Sequence, residues 1–226
     1  MYFLDYYYFI WILPAMILMI IAQISVKTTF SKYSRKACNI TGAEAARQVL
    51  EANGVNGVKI ERVAGELTDH FDPKANVIRL SQAVYDNNSV AAAGVAAHEA
   101  GHAVQYAKSW APIKIRAAIY PVCNFGSKLA IPLVFLGFIF EAFYLIDIGI
   151  IFFAVALLFQ LVTLPVEFNA SRRAVSALSN YGILANEEEV RGAKKVLFSA
   201  AMTYVTSFLV SLAQLLRLLA LANRRR

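Results

Sequence analysis

Charge is scarce in this 226-residue chain: Asp, Glu, Lys and Arg make up 16% of it, while hydrophobic residues make up 58%. Soluble domains carry roughly a quarter charged residues, so the balance, with a mean hydropathy of +0.52, argues against a freely soluble protein and for a membrane one. Cysteine is almost absent. Cys38 and Cys123 form neither a disulfide framework nor a CxxC pair, and each reads as a free buried thiol. Histidine is rarer than in most metal proteins, at three residues (His70, His98 and His102), so any histidine-based site has little to choose from. Acids number 15 against 22 Lys and Arg. In a membrane chain that surplus flanks the spans on the cytoplasmic side; no basic block is interleaved with stacking aromatics, so nucleic acid is not an expected partner. Internal repeats and low-complexity linkers are lacking as well.

What is present begins with an apolar run. Phe9 to Val26 is 18 residues without a charge, close to the minimum of about 17 for a bilayer span. Tyr6, Tyr7, Tyr8 and Trp11 crowd its start as interfacial aromatics do. Only Asp5 precedes it as a charge, and with no basic leader or Ala-x-Ala site it reads as a retained anchor. Lys27, Lys32, Arg35 and Lys36 follow, which places the N-terminus outside and the next segment in the cytoplasm. The expected organisation is an anchor over 1–26, a cytoplasmic insert over 27–126, a transmembrane hairpin over 127–166, a cytoplasmic segment over 167–195, and a C-terminal membrane helix with a basic tail over 196–226.

Within the insert, Thr41 and Glu44 make a capping-box start for a helix ending near Asn53-Gly54. Val58 to Val63 and Val77 to Leu80 read as short strands, the second as an edge able to pair an extended peptide, with Asp69 to Pro73 as a turn between them. Ser89 caps a helix to about Lys108, stopped by Pro112 and apolar nearly all round, hence a core helix. Leu129 to Ile146 and Ile148 to Val166 read as the second and third spans, with Glu141 and Asp147 marking a wet turn. Pro165 opens a polar helix to about Asn180, and Asn186 and Glu189 start the last long helix. If that helix spans, Arg224, Arg225 and Arg226 fall outside, against the positive-inside tendency; an interfacial course with Arg217 snorkelling is the alternative.

His98-Glu99-Ala100-Gly101-His102 is H-E-x-x-H, and it falls inside the core helix. Spacing i, i+4 sets both imidazoles on one helix face, where they can reach one Zn²⁺. Glu99, about a quarter turn away, suits a general base that takes the proton of a zinc-activated water. Two histidines and a glutamate among buried alanines are costly without a cation to satisfy them. Gly101 leaves room for another element to approach. A catalytic zinc needs a third protein ligand and an open position, and here that ligand is His70 or a carboxylate. Glu167 is favoured because it begins a polar stretch after a span and can reach the same membrane face as His98.

Four stretches then carry a resemblance: Leu67 to Pro73, Ala96 to Gln105, Thr163 to Ala174 and Ala200 to Val205. Through them the chain resembles the YugP-like "putative neutral zinc metallopeptidase" family of bacterial membranes nearly end to end. It is distantly similar to the Ste24- and HtpX-like membrane peptidases, whose third ligand is a Glu followed four residues later by Asp. Glu167 matches that Glu, but Ser171 stands in the Asp position, so Ser171 or Asn169 is expected to orient a ligand. His70 reads either as a donor to the reaction's oxyanion or substrate, or as a turn histidine bonded to Asp69 or Asp72. Arg172 and Arg173 read either as anion partners or as helix-surface charges.

The fold expected is a mainly α membrane protein: a zincin-like α+β cytoplasmic insert carrying the H-E-x-x-H helix, packed on about four transmembrane helices. The activity expected is a zinc-dependent metalloendopeptidase with one Zn²⁺ held by His98, His102 and Glu167. Its partners are a peptide or membrane-protein substrate and the lipid bilayer, in a bacterial plasma membrane, with the site at the cytoplasmic face. The competing class is a non-catalytic membrane protein with a structural zinc. Such sites are usually closed and cysteine-rich.

Overall fold

The structure is a computed structural model that describes residues 6–223, and for residues 6–9 and 11 the backbone alone. The aromatic side chains expected to belt the first span (Tyr6 to Tyr8, Trp11), Asp5, and the tail Arg224 to Arg226 therefore lie outside what is described. The chain is mainly helical: α1 (Tyr6–Ser34), α2 (Gly42–Ala52), α3 (Gln82–Tyr85), α4 (Val90–Ala107), α5 (Ala111–Ile139), α6 (Phe143–Asn180) and α7 (Glu187–Asn223), with strands β1 (Lys59–Val63), β2 (His70–Asp72) and β3 (Val77–Ser81). Four helices, α1, α5, α6 and α7, are long and apolar enough to cross a membrane.

The chain divides into two compact units. The apolar unit takes in the chain up to Ala22, Lys114–Leu164, and the chain from Thr203 onward. Val134, Ile146, Ile150 and Leu218 form its buried cluster. Gln160 Nε2 donates to Ser211 Oγ at 2.9 Å, tying α6 to α7 within this unit. The turn between α5 and α6 is only three residues long, 140–142, with Glu141 at φ +53. Asp147 lies inside α6 rather than at that turn. Arg217 is buried at 5% exposure.

The second unit is Gln23–Ile113 with Pro165–Met202. Local chemistry places its elements. The Thr41 side chain accepts from the Glu44 N–H at the start of α2, and Ser89 accepts from the Ala92 N–H at the start of α4. At α7 the cap is reciprocal: Asn186 Oδ1 accepts from the Glu189 N–H at 2.9 Å, while Glu189 Oε2 accepts from the Ala185 N–H at 3.0 Å. The sheet runs β1-β3-β2, with β1 parallel and β2 antiparallel to β3.

Three local expectations change. Val77–Ser81 is the central strand of the sheet and not its edge, because the segment read as a turn supplies a further strand. The true turn is 73–76, where Asp72 Oδ1 accepts the Lys74 and Ala75 N–H groups at 2.9 and 3.2 Å. Pro165 does not open a helix: α6 runs unbroken through it to Asn180. Long apolar helices tolerate an internal proline when neighbours satisfy the freed backbone groups. Pro112 does not stop α4 either, since α4 ends at Ala107 and Pro112 sits in the first turn of α5, where a missing N–H costs nothing.

α4 is the axis of this unit. Val90, Ala92, Ala93, Ala96, Ala97, Ala100 and Val104 are fully buried in a core shared with α2, β3, α6 and α7. Small side chains let neighbours come close, and the tightest approach is at Gly101. A Cβ there would lie 2.7 Å from the Ala170 carbonyl oxygen of α6. Gly101→Ala is accordingly expected to force α4 and α6 apart and to destabilise the chain by about 1–3 kcal/mol, an overpacking cost. Thermal unfolding of the full chain in detergent checks this; a melting temperature at or above the parent's would contradict it.

Candidate metal centre

His98 and His102 project from one face of α4, and Glu167 meets them from α6. The two Nε2 atoms are 3.1 Å apart. Glu167 Oε2 lies 3.3 Å from His98 Nε2 and 3.5 Å from His102 Nε2. The three ligand atoms fall within 4.8 Å of one another, and Glu167 is only 2% exposed.

The outer nitrogens reveal why the rings point as they do. His102 Nδ1 is 3.0 Å from Gln105 Oε1, an atom that can only accept, so Nδ1 carries the proton and Nε2 presents a lone pair. Gln105 is fully buried, and its amide is itself fixed: Nε2 donates to the Val166 carbonyl at 2.8 Å and to Asn169 Oδ1 at 3.1 Å. Asn169 Oδ1 in turn accepts from Arg173 Nε at 2.7 Å. His98 Nδ1 is 3.1 Å from Ser171 Oγ. Two imidazole Nε2 atoms and a buried carboxylate oxygen thus converge on one point. Such a donor set repels itself without a cation and fits a borderline-soft divalent ion such as zinc.

Glu99 is buried beside this cluster, at 9% exposure. Burial pushes its carboxyl group up from the ordinary range; the charge of His98 opposes this and those of Glu167 and Asp69 add to it. The Phe71 backbone of the edge strand β2 is the smallest influence on the same carboxyl and works against the rise, which sets β2 beside Glu99. Phe71 also stacks edge-on against Tyr106 of α4, ring centroids 6.1 Å apart. β2 is held in place by the side chains on either side of Phe71. Asp69 accepts from the Ser81 N–H at 2.7 Å and from its hydroxyl at 3.0 Å. Asp72 accepts from Arg79 at 2.9 Å, and that guanidinium pulls its carboxyl down to about 2.

The remaining predicted residues lie elsewhere. His70 is exposed on β2, and its Nδ1 donates to the Thr68 carbonyl at 2.7 Å. Neither Asp69 nor Asp72 is its partner, since Ser81 and Arg79 occupy them. Arg172 does not join the ligands; it lines a cavity of about 880 Å³ bounded by α6 and α7. Cys38 and Cys123 are buried, and their thiols donate to the Ile40 and Val155 carbonyls. Gln105 is the residue that motif reading overlooked as a functional group. Its signal was its position: one turn past His102, on a helix whose other polar side chains are His98, Glu99, His102 and Tyr106.

Comparison with known proteins was informative. The family described as "Putative neutral zinc metallopeptidase" matches residues 8–223. The "Putative membrane protease YugP" of Bacillus subtilis (strain 168) is 49% identical over 199 residues, covering 87% of this chain and 88% of that protein. No solved structure matches.

Outer partners of zinc-bound histidines are typically worth ten- to a hundredfold in metal affinity. Gln105→Leu, which keeps the bulk but frees both His102 and the Val166 carbonyl, is expected to weaken zinc binding by about that factor, and Ser171→Ala by less. Competition titration of the full chain against a zinc chelator measures both. An unchanged affinity in Gln105→Leu would show that the amide does not hold the ring.

Proposed function

From the premise that this chain belongs to the family of putative neutral zinc metallopeptidases, we propose that it hydrolyses peptide bonds in membrane or membrane-adjacent proteins. The reaction takes place at one zinc centre, carried by a zincin-like insert on the cytoplasmic face. The observation that supports this most directly is the meeting of His98, His102 and Glu167, two elements apart in the fold, with buried Glu99 alongside. A zinc ion held by these three residues would supply Lewis acidity, polarising a scissile carbonyl and making a water more acidic.

The chain's own residues do the rest. Glu99 takes a proton from the attacking water and returns it to the leaving amine. A carboxyl raised by burial is better matched to both halves of that task than an ordinary one. Gln105 and Ser171 keep the imidazoles aimed. β2 has β3 on one side only, so its other edge can align an extended substrate by main-chain hydrogen bonds. Arg35 and Lys36, just past the first apolar run, support the cytoplasmic assignment. The structural-zinc alternative is disfavoured because, among the described residues, no fourth His, Cys, Asp or Glu joins the cluster.

Glu99→Gln is expected to keep zinc at the parent's stoichiometry while lowering cleavage of an unstructured peptide reporter by about 10²–10⁴. If it cleaves as well as the parent, Glu99 is not the base. Glu167→Ala is expected to lose most of its zinc at micromolar free metal, read by elemental analysis of the purified chain. Full occupancy would remove Glu167 from the ligand set.

A further inference from the structure

Away from the metal ligands, a second cavity of about 550 Å³ lies between α1 and α7. Its α1 wall is Ser25, Thr29, Lys32 and Tyr33, residues spaced one helical face apart. Its α7 wall carries Arg191, Lys194 and Lys195, followed one turn on by Phe198 and Ser199. Four cations and four hydroxyl-bearing residues thus line one space, and among the described residues no acid lines it. Of the nearby acids, Glu188 pairs with Lys36 at 2.6 Å, and Glu187 pairs with the cavity's own Arg191 at 2.9 Å, leaving the three lysines. Lys32, Lys194 and Lys195 make no ion pair among the described residues, and all three are exposed.

The cavity has a closed end and an open one. At the closed end the Lys36–Glu188 pair joins the two walls, and Gly192 lets Tyr33 press against α7; a Cβ there would lie 2.6 Å from the tyrosine ring. At the other end Phe198, 58% exposed, stands between the lysines and the apolar remainder of α7. On α1 likewise, the run from Ile12 to Ala22, before Gln23 and Ser25, is apolar. The basic groups therefore sit where both helices change from polar to membrane-compatible sequence, the depth of lipid phosphates.

We propose that this cavity is a binding site for one anionic phospholipid, its phosphate held by Lys194, Lys195 and Lys32 and its first methylenes against Phe198. With Ser25 and Thr29 beside them, these ammonium groups make a cationic lining that a zwitterionic headgroup, with its own cation, satisfies less well.

The test uses the purified full chain in detergent, with lipid retention read by native mass spectrometry. The parent is expected to retain one phosphatidylglycerol about tenfold more strongly than phosphatidylcholine. Lys194→Gln/Lys195→Gln is expected to lose that preference while still binding zinc at the parent's stoichiometry, which shows that it is folded. Lys194→Arg/Lys195→Arg and the distant Lys59→Gln are expected to keep it. Equal retention of the two lipids by the parent, or an undiminished preference in the Gln variant, overturns the proposal. So does displacement of the lipid by millimolar inorganic phosphate, which would make this a soluble-anion site. If the Gln variant loses zinc as well, the Arg variant decides: a retained preference supports the site, and a lost one overturns it.

Discussion

The candidate centre depends on the close approach of α4 and α6 at Gly101 and Ala170. Two of its ligands come from one helix and the third from the other, so the distance between helix backbones sets the distance between ligand atoms. An alanine-rich α4 makes this possible because small side chains let its neighbours come close. Burial of so many alanines contributes little apolar area per residue. The same surface gives unusual proximity, and proximity is what two imidazoles and a carboxylate need to share one ion.

Hydrogen bonding then turns proximity into orientation. Gln105 spans the two helices, reading His102 on its own helix and Val166 and Asn169 on the other. Nothing about it is local in sequence, yet it couples the tautomer of a ligand to the register of α6.

Much of this was legible beforehand, and for definite reasons. H-E-x-x-H declares a geometry because helical periodicity is fixed, and Thr41, Ser89 and Asn186 announce helix starts through chemistry confined to four residues. Glu167 could be nominated from its place just after an apolar run. The three-residue strand β2 was hidden: its Asp and Pro neighbours look like a turn, and its strand character comes from pairing with β3, a tertiary fact. Pro165 misled because the usual penalty for an internal proline assumes an exposed soluble helix. Gln105 was visible but mute, since a buried glutamine acquires meaning only when its partners on another helix are known.

The outer partners of the two histidines, Gln105 and Ser171, are both uncharged. Where a carboxylate in either position would push electron density into the imidazole, an amide or a hydroxyl only steers it. A divalent ion among His98, His102 and Glu167 would be offset by a single negative ligand and would keep a net charge of plus one. Such a centre would hold its metal less tightly than one with charged outer partners. Retention would then rest on seclusion from solvent more than on ligand basicity.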